Sequence, residues 1–215
     1  MLNIKVFVCN PFQENCYVVS DDTAEGIIID CGALYAEEHK AIAEYVKKEG
    51  IRLKHLIATH GHIDHNCGNH NICETFGLQP EVSFKDRQLM DMLNEQSQTL
   101  MQQPLSDACP PVGKYLDEKD IIEFGHHRLT IIPTPGHTPG SVFFYCEEEK
   151  IAFSGDTLFR MSIGRTDFWQ GSYDDIMHSL RTLPQFIHPD TIILPGHGPR
   201  TTMKDEMACN PYLKR

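Results

Sequence analysis

The stretch Thr59-His60-Gly61-His62-Ile63-Asp64-His65 constrains this chain more than any other part of it. Three imidazoles and a carboxylate fall within residues 60–65, directly after the apolar segment Leu56-Ile57-Ala58. Side chains return to the same face about every 3.6 residues in a helix and every 2 in a strand, so the four cannot share one face of either. A turn leaving a strand, by contrast, can aim all of them around two metal ions. Facing solvent is the ordinary fate of any single one of the 12 histidines. Four ligand-type residues at this spacing point instead to a metal site.

Further ligand types recur in matching contexts: Thr134-Pro135-Gly136-His137, Phe153-Ser154-Gly155-Asp156 and Leu194-Pro195-Gly196-His197. Each closes an apolar run through a turn containing glycine, so every candidate sits where chain leaves a sheet. Apolar runs and alternation predict strands at residues 4–8, 16–19, 27–29, 56–58, 81–84, 121–124, 129–132, 142–145, 151–153 and 192–194. Helical spacing predicts helices at residues 36–49, ended by Gly50, at residues 85–102 through Leu89, Leu93 and Leu100, and after Ser172, where Asp175 completes a capping arrangement. Pro104, Pro110, Pro111 and Gly113 predict a long loop over residues 103–119.

At this point the chain resembles the metallo-β-lactamase-fold hydrolases over nearly its whole length. The landmarks occur in that family's order: Asp30-Cys31-Gly32 after a strand, the His60 run, His137, Asp156 and His197. The resemblance implies an α+β fold, a four-layer αββα sandwich with the metals along one edge, forming one domain over residues 1–215. It implies that His60, His62 and His137 bind one metal, that Asp64, His65 and His197 bind the other, and that Asp156 bridges them. Asp30 is then expected to hold the His60 loop through hydrogen bonds without binding metal.

Composition narrows the partners. A hydrophobic share of 40% over 215 residues suits a sizeable core. The formal net charge of −11 would stay negative with two divalent cations bound, which disfavours a phosphate backbone and hence a nucleic-acid substrate. No run approaches the roughly 18 apolar residues of a membrane span, and residues 1–10 lack a basic start followed by an apolar core. The expectation is a cytoplasmic enzyme acting on a small molecule, with no nucleic-acid or membrane partner and an oligomeric state the sequence leaves open. Eight cysteines without a C-x-x-C pair read as reduced structural thiols, Cys67 among them despite its closeness to His65.

Nitrogen and oxygen donors without thiolate suit zinc and also iron or manganese. Two such ions about 3.5–4 Å apart can share a hydroxide near neutral pH, which would attack a carbonyl polarised by one of them. Asp64 is then either a ligand alone or also the proton acceptor. The segments Ser154-Gly155-Asp156-Thr157-Leu158-Phe159 and Ile163-Gly164-Arg165-Thr166-Asp167-Phe168, with the ending Gly196-His197-Gly198-Pro199, Thr201-Thr202 and Asn210-Pro211-Tyr212-Leu213, resemble the glyoxalase II group, especially its shorter bacterial relatives. That resemblance implies hydrolysis of a thioester such as S-lactoylglutathione. Full-length glyoxalase II has tyrosines where Asp167 and Pro199 stand here, and a helical C-terminal domain for which the 18 residues after His197 leave little length. Glutathione thioesters and a broader acyl-thioester class therefore both stay open. Arg165 contacts a substrate carboxylate or pairs with Asp167, while Phe168 and Trp169 wall the cleft or belong to the core. The alternative activity is persulfide dioxygenation by one iron on His60, His137 and Asp156. A metal-stabilised binding module and a β-lactam hydrolase are weaker readings.

Overall fold

Ile27, Ile28 and Ile29 are all fully buried. Successive strand residues face opposite sides, so this run needs cover on both faces. In the computed structural model, which describes residues 1–213, Ile27 and Ile29 pack with Phe144, Phe153 and Leu194. Ile28 packs on the other side with Ile42, Val46 and Ile72. The layers follow from that alternation.

One six-stranded sheet runs in sequence order: β1 (Asn3–Cys9), β2 (Glu14–Ser20), β3 (Glu25–Ile29), β4 (Arg52–Ile57), β5 (Pro80–Ser83) and β6 (Lys114–Leu116). The second comprises β7 (Ile121–Phe124), β8 (His127–Pro133), β9 (Val142–Cys146), β10 (Ile151–Gly155), β13 (Ile192–Pro195) and β14 (Thr201–Thr202), in the order β14-β13-β10-β9-β8-β7. A separate hairpin joins β11 (Leu158–Phe159) and β12 (Ser162–Ile163). The inner faces meet in one apolar cluster, where each fully buried large side chain contributes roughly 1.5–3 kcal/mol. Helices α1 (Ala36–Lys48) and α2 (Asn69–Phe76) cover the first sheet, and α5 (Tyr173–Thr182) and α6 (Met203–Cys209) cover the second. The fold is the expected α+β four-layer αββα sandwich. Among the described residues no helix is long and apolar enough to cross a membrane.

Strand direction places the site. β3 and β4 are parallel, with Ile29 opposite Ile57, and β10 and β13 are parallel, with Phe153 opposite Leu194. Asp30 and the 59–65 loop therefore leave one sheet at the same edge, and Asp156 and His197 leave the other together. The 134–141 turn between β8 and β9 joins them, and the Val142 N–H donates to the Thr59 carbonyl at 3.0 Å.

All ten predicted strands are present, with bounds shifted by a few residues. Helix α1 ends where expected, with Gly50 left-handed at φ 65, and the Ser172 hydroxyl accepts from the Asp175 N–H at 3.2 Å. Two expectations are corrected. Residues 85–102 do not form one helix but break into α3 (Arg87–Asp91), α4 (Leu93–Gln96) and a π-helical turn, Ser97–Met101. The break coincides with polar side chains turned inward: the Asp86 carboxylate accepts from the Gly61 N–H, and the Gln96 amide bridges the Gly61 carbonyl and the Ile63 N–H. The 103–119 loop contains a strand, β6, parallel to β5; the Gly113 N–H donates to the Pro80 carbonyl as the chain joins the sheet edge. Neighbour pairing overrode the local proline signal there.

The edge opposite the ligands is pinned by Asp21. Its carboxylate accepts from the His126 N–H at 2.7 Å and the Thr23 N–H at 2.9 Å, and His127 Nδ1 lies 3.0 Å away. Burial pushes this carboxyl up, but hydrogen bonds from His126, Thr23 and His127 outweigh it and hold the group well below the usual carboxylate range. Stability from Asp21 is thus fully present above its unfolded value of about 3.9 and is lost as pH falls below it. Asp21→Asn is expected to lower the Tm at pH 7 and to flatten the decline of Tm below about pH 4. Thermal melts over pH 7 to 3 check this, and parallel curves for the two proteins would contradict it.

Candidate metal centre

His60, His62 and His65 are buried, as is His137, although imidazoles are rarely so confined without partners. The chain fixes them from behind. Asp30, left-handed at φ 53, accepts the Thr59 N–H at 2.6 Å and the Thr59 hydroxyl at 2.8 Å. Thr59 Oγ1 in turn lies 3.0 Å from His60 Nδ1, and His65 Nδ1 lies 3.1 Å from Asp30 Oδ2. Asp30 holds the His60 loop as its place in the sequence predicts. Asn66 completes the turn by donating to the His60 and His62 carbonyls.

The remaining histidines are oriented in the same manner. His137 Nδ1 donates to the Arg165 carbonyl at 2.7 Å, and His197 Nδ1 donates to the Phe12 carbonyl at 2.9 Å. Each bond commits one ring nitrogen and leaves Nε2 as the one with a free lone pair. The inward atoms then converge. His62 Nδ1 is 2.9 Å from His137 Nε2. Asp156 Oδ1 is 3.4 Å from His65 Nε2, and Asp156 Oδ2 is 3.7 Å from His137 Nε2 and 3.5 Å from His197 Nε2. Asp64 Oδ2 is 3.2 Å from His197 Nε2.

Four groupings have donor atoms close enough to hold an ion: His60 with His62 and His137, His60 with His65 and Asp156, Asp64 with His65 and His197, and Glu14 with Asp30 and His65; the first three hold the expected ligands. All seven predicted ligands are therefore brought together, in overlapping sets. His60 Nε2, His65 Nε2 and Asp156 Oδ1 are buried without a hydrogen-bond partner. Burial pushes His60 and His62 down, His62 to about 3, so both are neutral at pH 7, the state that ligates metals. Burial also disfavours charge on His65, but Asp156, Asp64 and Asp30 outweigh it and raise the group well above its ordinary value. A field that strong wants a cation, and the donor set fits divalent metal ions.

The chain matches the metallo-beta-lactamase superfamily over residues 9–197. The chain belongs to that superfamily. Within it, the sequence is 36% identical to a hydroxyacylglutathione hydrolase, GloC, of Haemophilus influenzae, covering 99% of this chain and 98% of the relative. Among solved structures, the B3 metallo-beta-lactamase BLEG-1 superposes with a TM-score of 0.90 at 32% identity, covering 99% of this chain and all of the other. TTHA1623, in a di-iron-bound form, gives 0.85 at 31% identity, covering 97% of this chain and all of the other. Superfamily membership makes this a metallo-hydrolase fold, while the two structural relatives differ in the activity or metal their descriptions carry.

Other predicted residues find less prominent places. Arg165 forms two 2.7 Å hydrogen bonds to Asp167 and lies 3.9 Å from the centre of the Phe168 ring. The pairing with Asp167 is present, and the Arg165 backbone carbonyl serves His137. Phe168 stands edge-on to His62 at 5.6 Å, with Trp169 half exposed beyond it. All eight cysteines are free, and Cys67 donates to the Gly32 carbonyl outside every ligand grouping.

The sequence did not signal the second layer. Asn10 donates to the Gly32 and Asp64 carbonyls, and Asn15 donates to those of Pro195 and Gly198. Tyr17 also donates to the Pro195 carbonyl, at 2.6 Å. Glu14 is fully buried beneath Asp30 and His65, and burial raises its carboxyl well above the ordinary range. Glu206, buried on α6, accepts from the Met161 N–H, the Thr201 hydroxyl and the Asn210 amide, and so ties down the β11–β12 hairpin. Phe159 on that hairpin reaches 6.2 Å from His197. Asn at a strand end carries no periodic pattern, which is why these positions were silent.

Asp30→Ala removes the acceptor for two Thr59 donors and the neighbour of His65. It is expected to weaken metal affinity about 10–100-fold, as for other residues that orient ligands. Competition against a chromophoric chelator measures it, and wild-type affinity in the variant would remove Asp30 from the site's construction.

Proposed function

We propose that the chain is a two-metal hydrolase of acyl thioesters, with S-lactoylglutathione the first substrate to test. The observation that carries the metal half is the convergence of seven buried or half-buried donors whose inward atoms His60 Nε2, His65 Nε2 and Asp156 Oδ1 have no protein partner. Whole-length similarity to a hydroxyacylglutathione hydrolase supports the thioester half. In this reading His60, His62 and His137 hold one ion, Asp64, His65 and His197 the other, and Asp156 faces both.

Bound divalent ions, zinc by preference with iron or manganese compatible with the same donors, supply a water-derived nucleophile near neutral pH and polarise the substrate carbonyl. The chain's own groups do the rest. Burial would push Asp64 up, but His65 and His197 outweigh it and keep the group ionised. Its Oδ2 lies 3.2 Å from His197 Nε2, so both donors face the same ion position, and its other oxygen accepts a proton. Phe168 beside His62 and Phe159 beside His197 flank the cluster with apolar surface that excludes water. A thiolate leaves without being protonated first, and the nearby Arg165 is committed to Asp167 rather than available as an acid.

β-Lactam hydrolysis is a second reading, favoured by the likeness to BLEG-1. Persulfide dioxygenation by one iron on His60, His137 and Asp156 leaves four convergent donors without a task.

Protein verified to carry two metals is expected to hydrolyse S-lactoylglutathione with kcat/KM of about 10⁴ M⁻¹s⁻¹ or more, and His60→Ala to abolish the activity. Turnover no faster than the variant's would sink the assignment. Hydrolysis of a chromogenic cephalosporin, or oxygen uptake with a persulfide, would then name the alternative.

A further inference from the structure

Asp86 is a buried carboxylate that neither belongs to the ligand set nor carries a motif signal. Its hydrogen bonds run to two different ligand loops. Oδ2 accepts from the Gly61 N–H at 2.8 Å, between His60 and His62. The same oxygen accepts from the Thr138 hydroxyl at 2.7 Å, and Oδ1 accepts from the Gly140 N–H at 2.6 Å, both just after His137. One carboxylate thus spans the two loops that carry His60, His62 and His137. Charge-assisted bonds of this kind are shorter and about twice as strong as neutral ones.

The fit around it leaves no slack. A Cβ on Gly61 would lie 3.1 Å from Asp86 Cβ and 2.8 Å from Leu89 Cβ, and one on Gly140 would lie 2.5 Å from Asp86 Oδ1. Gln96 clamps the next peptide group along, at the carbonyl of Gly61. Its Nε2 donates to the Gly61 carbonyl at 3.2 Å and its Oε1 accepts from the Ile63 N–H at 3.1 Å. Both polar groups of Gly61 are therefore held by the broken helical segment.

The other grouping is secured elsewhere. The Asp64 carbonyl is held by Asn10, His65 approaches Asp30, and the His197 turn is held by Phe12 and Asn15. We propose that Asp86, assisted by Gln96, is a positioning residue that sets the separation between the His60–Gly61–His62 segment and His137, and so governs the affinity of the three-imidazole ion site selectively. The inference rests on the two-metal reading above. Asparagine cannot replace Asp86, because its amide nitrogen would face either the Gly61 or the Gly140 N–H, donor against donor.

The test is stepwise zinc binding by the full chain, read by competition with a chromophoric chelator, for wild type, Asp86→Asn, Asp86→Ala and Gln96→Ala. Asp86→Ala is expected to weaken one of the two binding steps about 10–100-fold and leave the other near wild type, with Asp86→Asn similar and Gln96→Ala smaller in the same step. In a His197→Ala background, which keeps the three-imidazole site, the Asp86 effect persists; in a His62→Ala background it disappears. Should the Asp86 variants fail to fold, Gln96→Ala carries the same selective signature from a half-buried position. Two equally weakened steps, or none, overturn the proposal while leaving the two-metal reading intact. A wild type that binds fewer than two ions removes that reading and this inference with it.

Discussion

Seven ionisable side chains crowd one edge of a sandwich, and their desolvation sets the terms for everything around them. A buried charge without compensation costs several kcal/mol in order of magnitude, so the outward atoms of this cluster lie against protein groups. Carbonyls of Arg165 and Phe12 take the Nδ1 protons of His137 and His197, and Asp30 and Thr59 stand behind His65 and His60. What remains inward is a set of lone pairs and negative charge with no protein counterpart. A metal ion is the species that resolves that imbalance, and the same imbalance would be intolerable on a mobile loop.

Rigidity comes from the sheets. Strands β3, β4, β10 and β13 end together because their pairings are parallel, and their inner faces lock through Tyr17, Ile29, Phe153 and Leu194. Strand β2 adds a cross-tie: its Asn15 and Tyr17 reach the carbonyls that lead into His197. The His197 turn is therefore fixed by the opposite sheet as much as by its own strand. The site is a seam between two sheets rather than an ornament of either.

The candidate donors were legible because His60, His62, Asp64 and His65 crowd one short loop and His137, Asp156 and His197 each close an apolar run through a glycine turn, local patterns that sequence displays. The layers were legible only through the family resemblance, and the buried run Ile27, Ile28 and Ile29 supplies their physical reason, since it demands apolar neighbours on both faces. The helix expected over residues 85–102 failed because Leu89, Leu93 and Leu100 advertise helical spacing, whereas Asp86 and Gln96 spend their side chains on a loop far away in sequence. Strand β6 and helix α2 were hidden in turn because their apolar content is slight and their order comes from neighbours. Hydrogen bonds between distant segments have no period, so Asn10, Asn15 and Asn66 could be found only in three dimensions.

Glu206 shows how far the site extends along the chain. Its buried carboxylate holds Met161 at the turn of the β11–β12 hairpin, and Asn210 adds a bond to the Ser162 carbonyl. That hairpin carries Phe159, the wall beside His197. A chain cut just before Glu206 would retain every metal-donor side chain yet release the wall that shelters them. The last helix thus works as a latch on the cleft, and ion binding and substrate enclosure become separable properties, encoded in different stretches of the same polypeptide.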